Sequence, residues 1–137
     1  MFRSPNSYAG LWTAAARVRE SARPDALFVD PWAESLTGHA GRHQLEEREC
    51  DQAPNPYLPV RTRFFDDSIQ AANASSRQVV LLGAGMDTRA FRLPLAAGSV
   101  CYELDRDEVV AYKASILGAA KSWSERRPVP TDLRGIG

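Results

Sequence analysis

Two glycines and an aspartate form the pattern in this sequence that is best suited to chemistry. Gly83 and Gly85 follow the short apolar run 79–82, and Asp105 lies 20 residues after Gly85, at the end of a second apolar run. Glycine lets a turn bring backbone amides close to a ligand, and a carboxylate beyond the next strand can accept hydrogen bonds from ribose hydroxyls. The spacing indicates the first half of a nucleotide-binding α/β unit that holds an adenosine-containing cofactor.

The residues after the glycines argue against a dinucleotide. The dinucleotide fingerprint is G-x-G-x-x-G, and Thr88 stands here in place of the third glycine. A nucleoside without a pyrophosphate fits this turn better, and S-adenosylmethionine (SAM) is the usual cofactor of that kind. An NAD-dependent oxidoreductase remains the less favoured alternative.

The surrounding pattern predicts an α/β fold. Residues 79–82 are too few for a helix and rich in β-branched side chains, so we expect a parallel strand that is buried on both faces. A helical segment follows Gly85, and a second strand spans 99–104. A helix over 107–120 then precedes a third strand at 128–131, which we place at a sheet edge because of its prolines.

The N-terminal part reads as helical. Alanine-rich residues 8–21 predict an amphipathic helix, and Asp30 with Pro31 predicts the start of a second helix that stops at Gly38. Residues 37–59 predict a variable surface connection with one short helix at 44–49. A helix over 58–75 then places Phe64 and Phe65 against the sheet.

Composition excludes several classes of function. The sequence has 17 basic residues (Lys and Arg) and 17 acidic residues (Asp and Glu), so its formal net charge is zero. Nothing in this balance favours a nucleic-acid partner. No apolar run approaches the roughly 18–20 residues that span a membrane, and no secretory signal is evident. Cys50 and Cys101 lie far apart, which fits a cytoplasmic protein. His39 and His43 are a weak metal pattern, so we expect no metal site.

Several longer motifs resemble one known family. GAGMDTRAFRL, YELD and VPTDLR, together with AAARVRES, RPDALFVDPWAESLTG and VRTRFFDD, are similar to the bacterial branch of the leucine carboxyl methyltransferase family. The resemblance runs in order from about residue 8 to residue 134. It implies a SAM-dependent methyltransferase with a doubly wound, Rossmann-like sheet.

The resemblance also implies site residues. Gly83 and Gly85 would form the turn under the methionine part of SAM, and Asp105 would hold the ribose. The remaining implied ligands are Asp132 and Leu133 beside the adenine, Arg61 at the SAM carboxylate, and Arg17 as a second basic residue near it. Asp87, Thr88 and Arg89 are expected to cap a helix and pair internally. No catalytic residue is assigned, because methyl transfer mainly requires positioning of donor and acceptor.

Family members are about twice as long as this chain. The resemblance therefore implies an N-terminal helical cap over 1–57 and the first three strands of a truncated SAM-binding domain over 58–137. The acceptor would be a small molecule or peptide that carries a carboxylate or hydroxyl. We expect the strand at 79–82 to have an open edge and uncovered apolar surface, through which the chain could self-associate. A catalytically inactive SAM-binding or interaction module is the alternative.

Overall fold

A computed structural model describes residues 10–135, which form two compact units that divide between Phe65 and Asp66. The elements in chain order are α1 (Leu11–Ser21), α2 (Ala33–Glu49), α3 (Tyr57–Ala72), β1 (Gln78–Leu82), α4 (Arg89–Arg92), β2 (Val100–Asp105), α5 (Asp107–Leu117), β3 (Glu125–Pro130) and a 3₁₀ helix (Leu133–Gly135). None of the helices in this range has the length and apolar content to cross a membrane.

The first unit is built on the packing of α1 against α2. Its core contains Ala15, Ala16, Leu45 and Leu58, with Trp12 packed against them. The helix predicted over 8–21 is confirmed as α1, although its first residues lie outside the described range. Small alanines on α1 let the two helices approach closely.

The prediction of a variable connection over 37–59 is wrong for residues 37–43, whereas the short helix predicted at 44–49 is confirmed as the last part of α2. The chain breaks at Gly38, where φ is 55°, but it resumes as helix and stays helical to the end of α2. Tertiary contacts outweigh the weak local pattern, since Leu45 enters the core and the Arg48 guanidinium lies 4.4 Å from the centre of the Trp12 ring. Within residues 10–135, no group of three or more potential ligands is placed to hold a metal.

Helix α3 buries a different face from the one that its sequence indicated. Phe64 and Phe65 are exposed and contact each other edge to face, so the prediction that they pack against the sheet is wrong. The buried positions along this segment recur at helical spacing and are mostly polar: Leu58, Thr62, Asp66 and Asn73. Hydrogen bonds make this burial possible, as Asn73 Nδ2 donates to Ser99 Oγ over 2.9 Å.

The second unit contains a parallel sheet with the strand order β1-β2-β3. Leu82 pairs with Leu104, and Asp105 pairs with Pro130, so the carboxyl ends of the three strands lie side by side. The predicted edge position of β3 is confirmed, and the strand begins three residues earlier than expected. In the described range β1 pairs with β2 alone and forms the other edge.

The two faces of the sheet differ in burial. Cys101 and Glu103 are buried on the face that α5 covers, where Lys113 forms an ion pair with Glu103. Val80 and Leu82, on the opposite face, are 56% and 68% exposed. The prediction that β1 is buried on both faces is therefore wrong. The expected uncovered apolar surface is therefore present.

Gly41 sets the distance between α1 and α2. A Cβ atom added at Gly41 would lie 2.6 Å from the backbone oxygen of Leu11, which is closer than real Cβ contacts allow. We therefore expect Gly41→Ala to lower the free energy of unfolding by about 1–3 kcal/mol through overpacking. Urea denaturation of the whole chain measures this change.

Gly135→Ala is the matched control for Gly41→Ala. A Cβ at Gly135 meets nothing within 4 Å, so its effect should stay within about 0.5 kcal/mol. Equal stability of the two variants would show that the α1–α2 contact tolerates a methyl group.

Candidate functional site

The glycine turn lies directly after β1. Gly83 and Gly85 have φ values of 62° and 48°, in the left-handed region that favours glycine. A Cβ atom at Gly83 would meet nothing within 4 Å, so backbone conformation rather than lack of space requires this glycine. The turn breaks the strand where the sequence predicted and exposes its backbone at the carboxyl end of the sheet.

Asp105 connects this turn to the rest of the sheet edge. Its Oδ2 accepts a hydrogen bond from the Gly85 N–H over 2.8 Å, and its Oδ1 accepts one from the Arg106 N–H over 2.7 Å. Its backbone oxygen accepts the Thr131 N–H over 2.8 Å, which ties β3 to the same point. An ionised carboxylate has about four lone-pair positions, so Asp105 can still accept hydrogen bonds from a ligand.

A cleft of about 310 Å³ opens beside Asp105. Its walls are Asp105, Arg106, Thr131, Asp132, Leu133 and Arg134. The volume falls in the range that small-molecule ligands occupy. The structure thus brings together Asp105, Asp132 and Leu133, with Gly85 hydrogen-bonded to the first of them.

Asp132 is held in the cleft wall by Arg134. Its Oδ1 accepts hydrogen bonds from the Arg134 backbone N–H over 3.0 Å and from Nε over 2.9 Å. The side-chain and backbone donors of Arg134 lower the pKa of the Asp132 carboxyl to about 2. Asp132 is therefore a carboxylate at neutral pH and can act only as a hydrogen-bond acceptor.

Buried ion pairs fix the segment that follows the turn. Asp66 Oδ1 accepts from Arg89 Nε over 2.8 Å, and its Oδ2 accepts from Arg92 Nη1 over 2.6 Å. Asp87 accepts hydrogen bonds from the backbone N–H and the guanidinium of Arg89. The expected internal pairing of Asp87 and Arg89 is present. These contacts anchor the one-turn helix α4 and the turn before it.

The two other predicted ligands, Arg17 and Arg61, belong to the first unit. Arg17 is buried, and its Nε donates to Asp30 Oδ2 over 2.8 Å. Asp30 Oδ1 also accepts the N–H of Ala33, so this pair fixes the start of α2. Arg61 is exposed on α3 and has no ion-pair partner among residues 10–135. Their role toward SAM stays a prediction.

Sequence reasoning missed three residues of the cleft, namely Arg106, Thr131 and Arg134. Each of them is adjacent in sequence to a predicted site residue, so proximity along the chain could have indicated them. It also missed Lys113, which is buried and lines a small cavity together with Asp105. No sequence motif marks this lysine. A lysine on an apolar helix face gives little warning that it points inward.

Comparison with known proteins gives the same family along nearly the whole chain. The family model described as leucine carboxyl methyltransferase matches residues 10–136. A protein of Mycolicibacterium gilvum named "Putative S-adenosyl-L-methionine-dependent methyltransferase" is 42% identical over 88% of this chain and 45% of its own length. A similarly named protein of a Parafrankia species is 44% identical over 90% of this chain and 43% of its own length. The chain therefore spans less than half the length of these relatives.

Replacement of Arg134 tests the cause of the low pKa of Asp132. In Arg134→Ala the guanidinium is lost but the backbone N–H of residue 134 remains. The pKa of Asp132 should rise from about 2 toward its ordinary value of 3.8 without reaching it. Titration of the Asp132 carboxyl carbon by NMR measures the change. Arg127→Ala is the control, since Arg127 pairs with Glu125, and an identical titration in the wild type and Arg134→Ala would contradict the assignment.

Proposed function

Because this chain belongs to the leucine carboxyl methyltransferase family, we propose that it forms the SAM-binding part of a methyltransferase. One observation carries the proposal: Asp105 is hydrogen-bonded to the glycine turn and lines a cleft that Asp132 and Leu133 share. A nucleoside needs a ribose acceptor and a base site within one small cleft. These residues supply both.

Each residue of the second unit has a separate part in this proposal. Asp105 accepts hydrogen bonds from the ribose hydroxyls with the lone pairs that Gly85 and Arg106 leave available. Asp132 and Leu133 contact the adenine, where the carboxylate accepts from the exocyclic amine. The left-handed glycines, Gly83 and Gly85, allow the backbone to approach the methionine part of the cofactor.

The arginines of the first unit complete the proposed ligand set. Arg61 binds the SAM carboxylate, since an exposed guanidinium offers paired donors that match carboxylate geometry. For Arg17 the proposal requires one guanidinium to serve both Asp30 and the cofactor, because Asp30 already holds Nε. We therefore assign Arg61 the direct contact and Arg17 the supporting one.

The proposed reaction is O-methylation. SAM bound here would supply an electrophilic methyl group, which would pass from the sulfonium to an acceptor oxygen and leave S-adenosylhomocysteine. The acceptor we propose is a carboxylate or hydroxyl of a small molecule or peptide, and a hydroxyl acceptor would lose its proton to water. The described residues bind and orient, and we assign none of them as a general base.

Cellular setting and association are also part of the proposal. Cys50 and Cys101 are free thiols, which suits the reducing cytoplasm. Self-association is supported by β1, an edge strand without lysine or proline whose Val80 and Leu82 are exposed. Pairing of this edge with a second copy would satisfy its unpaired backbone groups.

Asp105→Asn tests the ribose contact. The amide keeps the shape of the side chain but removes its charge and one acceptor, so SAM affinity should fall by about 1–3 kcal/mol. Calorimetry with the whole chain measures this loss. Glu125→Gln, an exposed change at the other end of the sheet, should leave affinity unaltered. Equal SAM binding by wild type and Asp105→Asn would remove Asp105 from the site, and tighter binding of NAD than SAM would overturn the methyltransferase proposal.

Val80→Lys tests the proposed association. A lysine on β1 should weaken pairing between copies, because an edge charge opposes strand addition. Sedimentation velocity should show a smaller fraction of dimer or larger species than in the wild type. Val29→Lys, which charges another exposed valine in the first unit, is the control. A wild-type chain that is monomeric throughout would exclude self-association.

A further inference from the structure

Lys113 is a buried lysine beneath the proposed cofactor site. Its position on α5, between Val109 and Leu117 at four-residue spacing, places it on the buried side of the helix, and only 3% of the residue is exposed. Burial lowers the pKa of its ammonium, although the Glu103 carboxylate opposes this shift. Burial of a charge is costly, so its partners must account for its position.

The direct partner of Lys113, Glu103, is shared with a second cation. Glu103 Oε2 lies 3.1 Å from Lys113 Nζ and 2.7 Å from Arg126 Nη2, so one carboxylate serves two cations. Asp87 also acts on Lys113 through space, but its oxygens are engaged by Arg89. An ammonium has three N–H donors, and the Glu103 oxygen at 3.1 Å can engage only one of them, so the others are available to a further acceptor.

A small cavity lies where these groups meet. Its walls are Ala84, Gly85, Glu103, Asp105, Val109, Val110, Lys113, Arg126 and Pro128. Its volume of about 10 Å³ is close to the smallest that holds one water molecule. Its four charged walls are two carboxylates and two cations, which sum to zero. Asp105 is the second carboxylate in the wall of this cavity, and it lies at the site beside Lys113.

We propose that this cavity binds one water molecule, which accepts a hydrogen bond from the Lys113 ammonium and donates one to the Asp105 carboxylate. The water has the polar partners that a buried water needs, since Glu103 and Arg126 also line the cavity. Lys113 is then a positioning residue: it holds Asp105 from behind, while Gly85 holds it from the turn. The consequence for ribose binding rests on the proposed function.

A crystal structure of the whole wild-type chain at high resolution tests the water directly. We expect one ordered water within hydrogen-bonding distance of both Lys113 Nζ and a carboxylate oxygen of Asp105. Absence of that water, or a water bonded to Glu103 alone, would overturn the proposal. This test needs neither a variant nor SAM.

Lys113→Met tests the positioning role in solution. Methionine keeps the length of the chain and removes the charge, so the restraint on Asp105 should weaken. Because the Gly85 N–H donates to Asp105, its amide hydrogen exchange should become about tenfold faster relative to the amides of β1 and β2. Leu117→Ala, one turn along the same buried side of α5, is the control for lost helix packing. The same change in both variants would reduce Lys113 to a packing role.

A ligand comparison isolates the ribose. The wild type should prefer S-adenosylhomocysteine over its 2′,3′-dideoxy analogue, and Lys113→Met should reduce that preference by about tenfold, since coupled residues share their effects. Equal weakening of both ligands by Lys113→Met would contradict the role of Lys113. If the wild type binds neither ligand, the proposed function fails, while the crystallographic water still decides the inference.

Discussion

The hydrogen bond from the Gly85 N–H to the Asp105 carboxylate is the interaction on which the second unit depends. It forms only because β1 and β2 pair in parallel, with Leu82 beside Leu104, so that the two strands end side by side. Parallel pairing puts a turn and a carboxylate that are 20 residues apart within one hydrogen bond. The Thr131 N–H then brings β3 to the same aspartate. Strand register therefore places these groups together at the carboxyl ends of the strands.

Buried charges do much of the structural positioning in both units. In the first unit, Arg17 and Asp30 join α1 to the start of α2. In the second, Asp66 holds two arginines that follow the glycine turn. Buried ion pairs are weak evidence for stability, because desolvation offsets much of their attraction. Their main effect is on which groups pair with each other, because removal of one partner leaves a buried charge without compensation.

The sheet was predictable because its determinants are local. The apolar runs, the glycines and the prolines of β3 each act within a few residues, so three strands and their order along the chain follow from the sequence. The helix over residues 39–43 was not predictable, because Gly41 and Leu45 stabilise it through contacts with α1, which lies far away in sequence. Only its continuation over 44–49 was predicted. The prediction for Phe64 was wrong for a related reason. Apolar periodicity indicates which face of a helix is apolar, but it does not show whether another element packs against that face. Lys113 shows that charge balance around a cavity is visible only in three dimensions.

The mixture of small alanines and charged groups inside the protein has a thermodynamic consequence. Ala14, Ala15, Ala16 and Ala33 are buried in the first unit, alongside the Arg17–Asp30 pair. Unfolding such an interior hydrates modest apolar area and also exposes polar groups, and these two changes affect heat capacity with opposite sign. We therefore expect the first unit to contribute a smaller heat-capacity increment of unfolding than an interior of large apolar side chains would, which flattens the curve of stability against temperature.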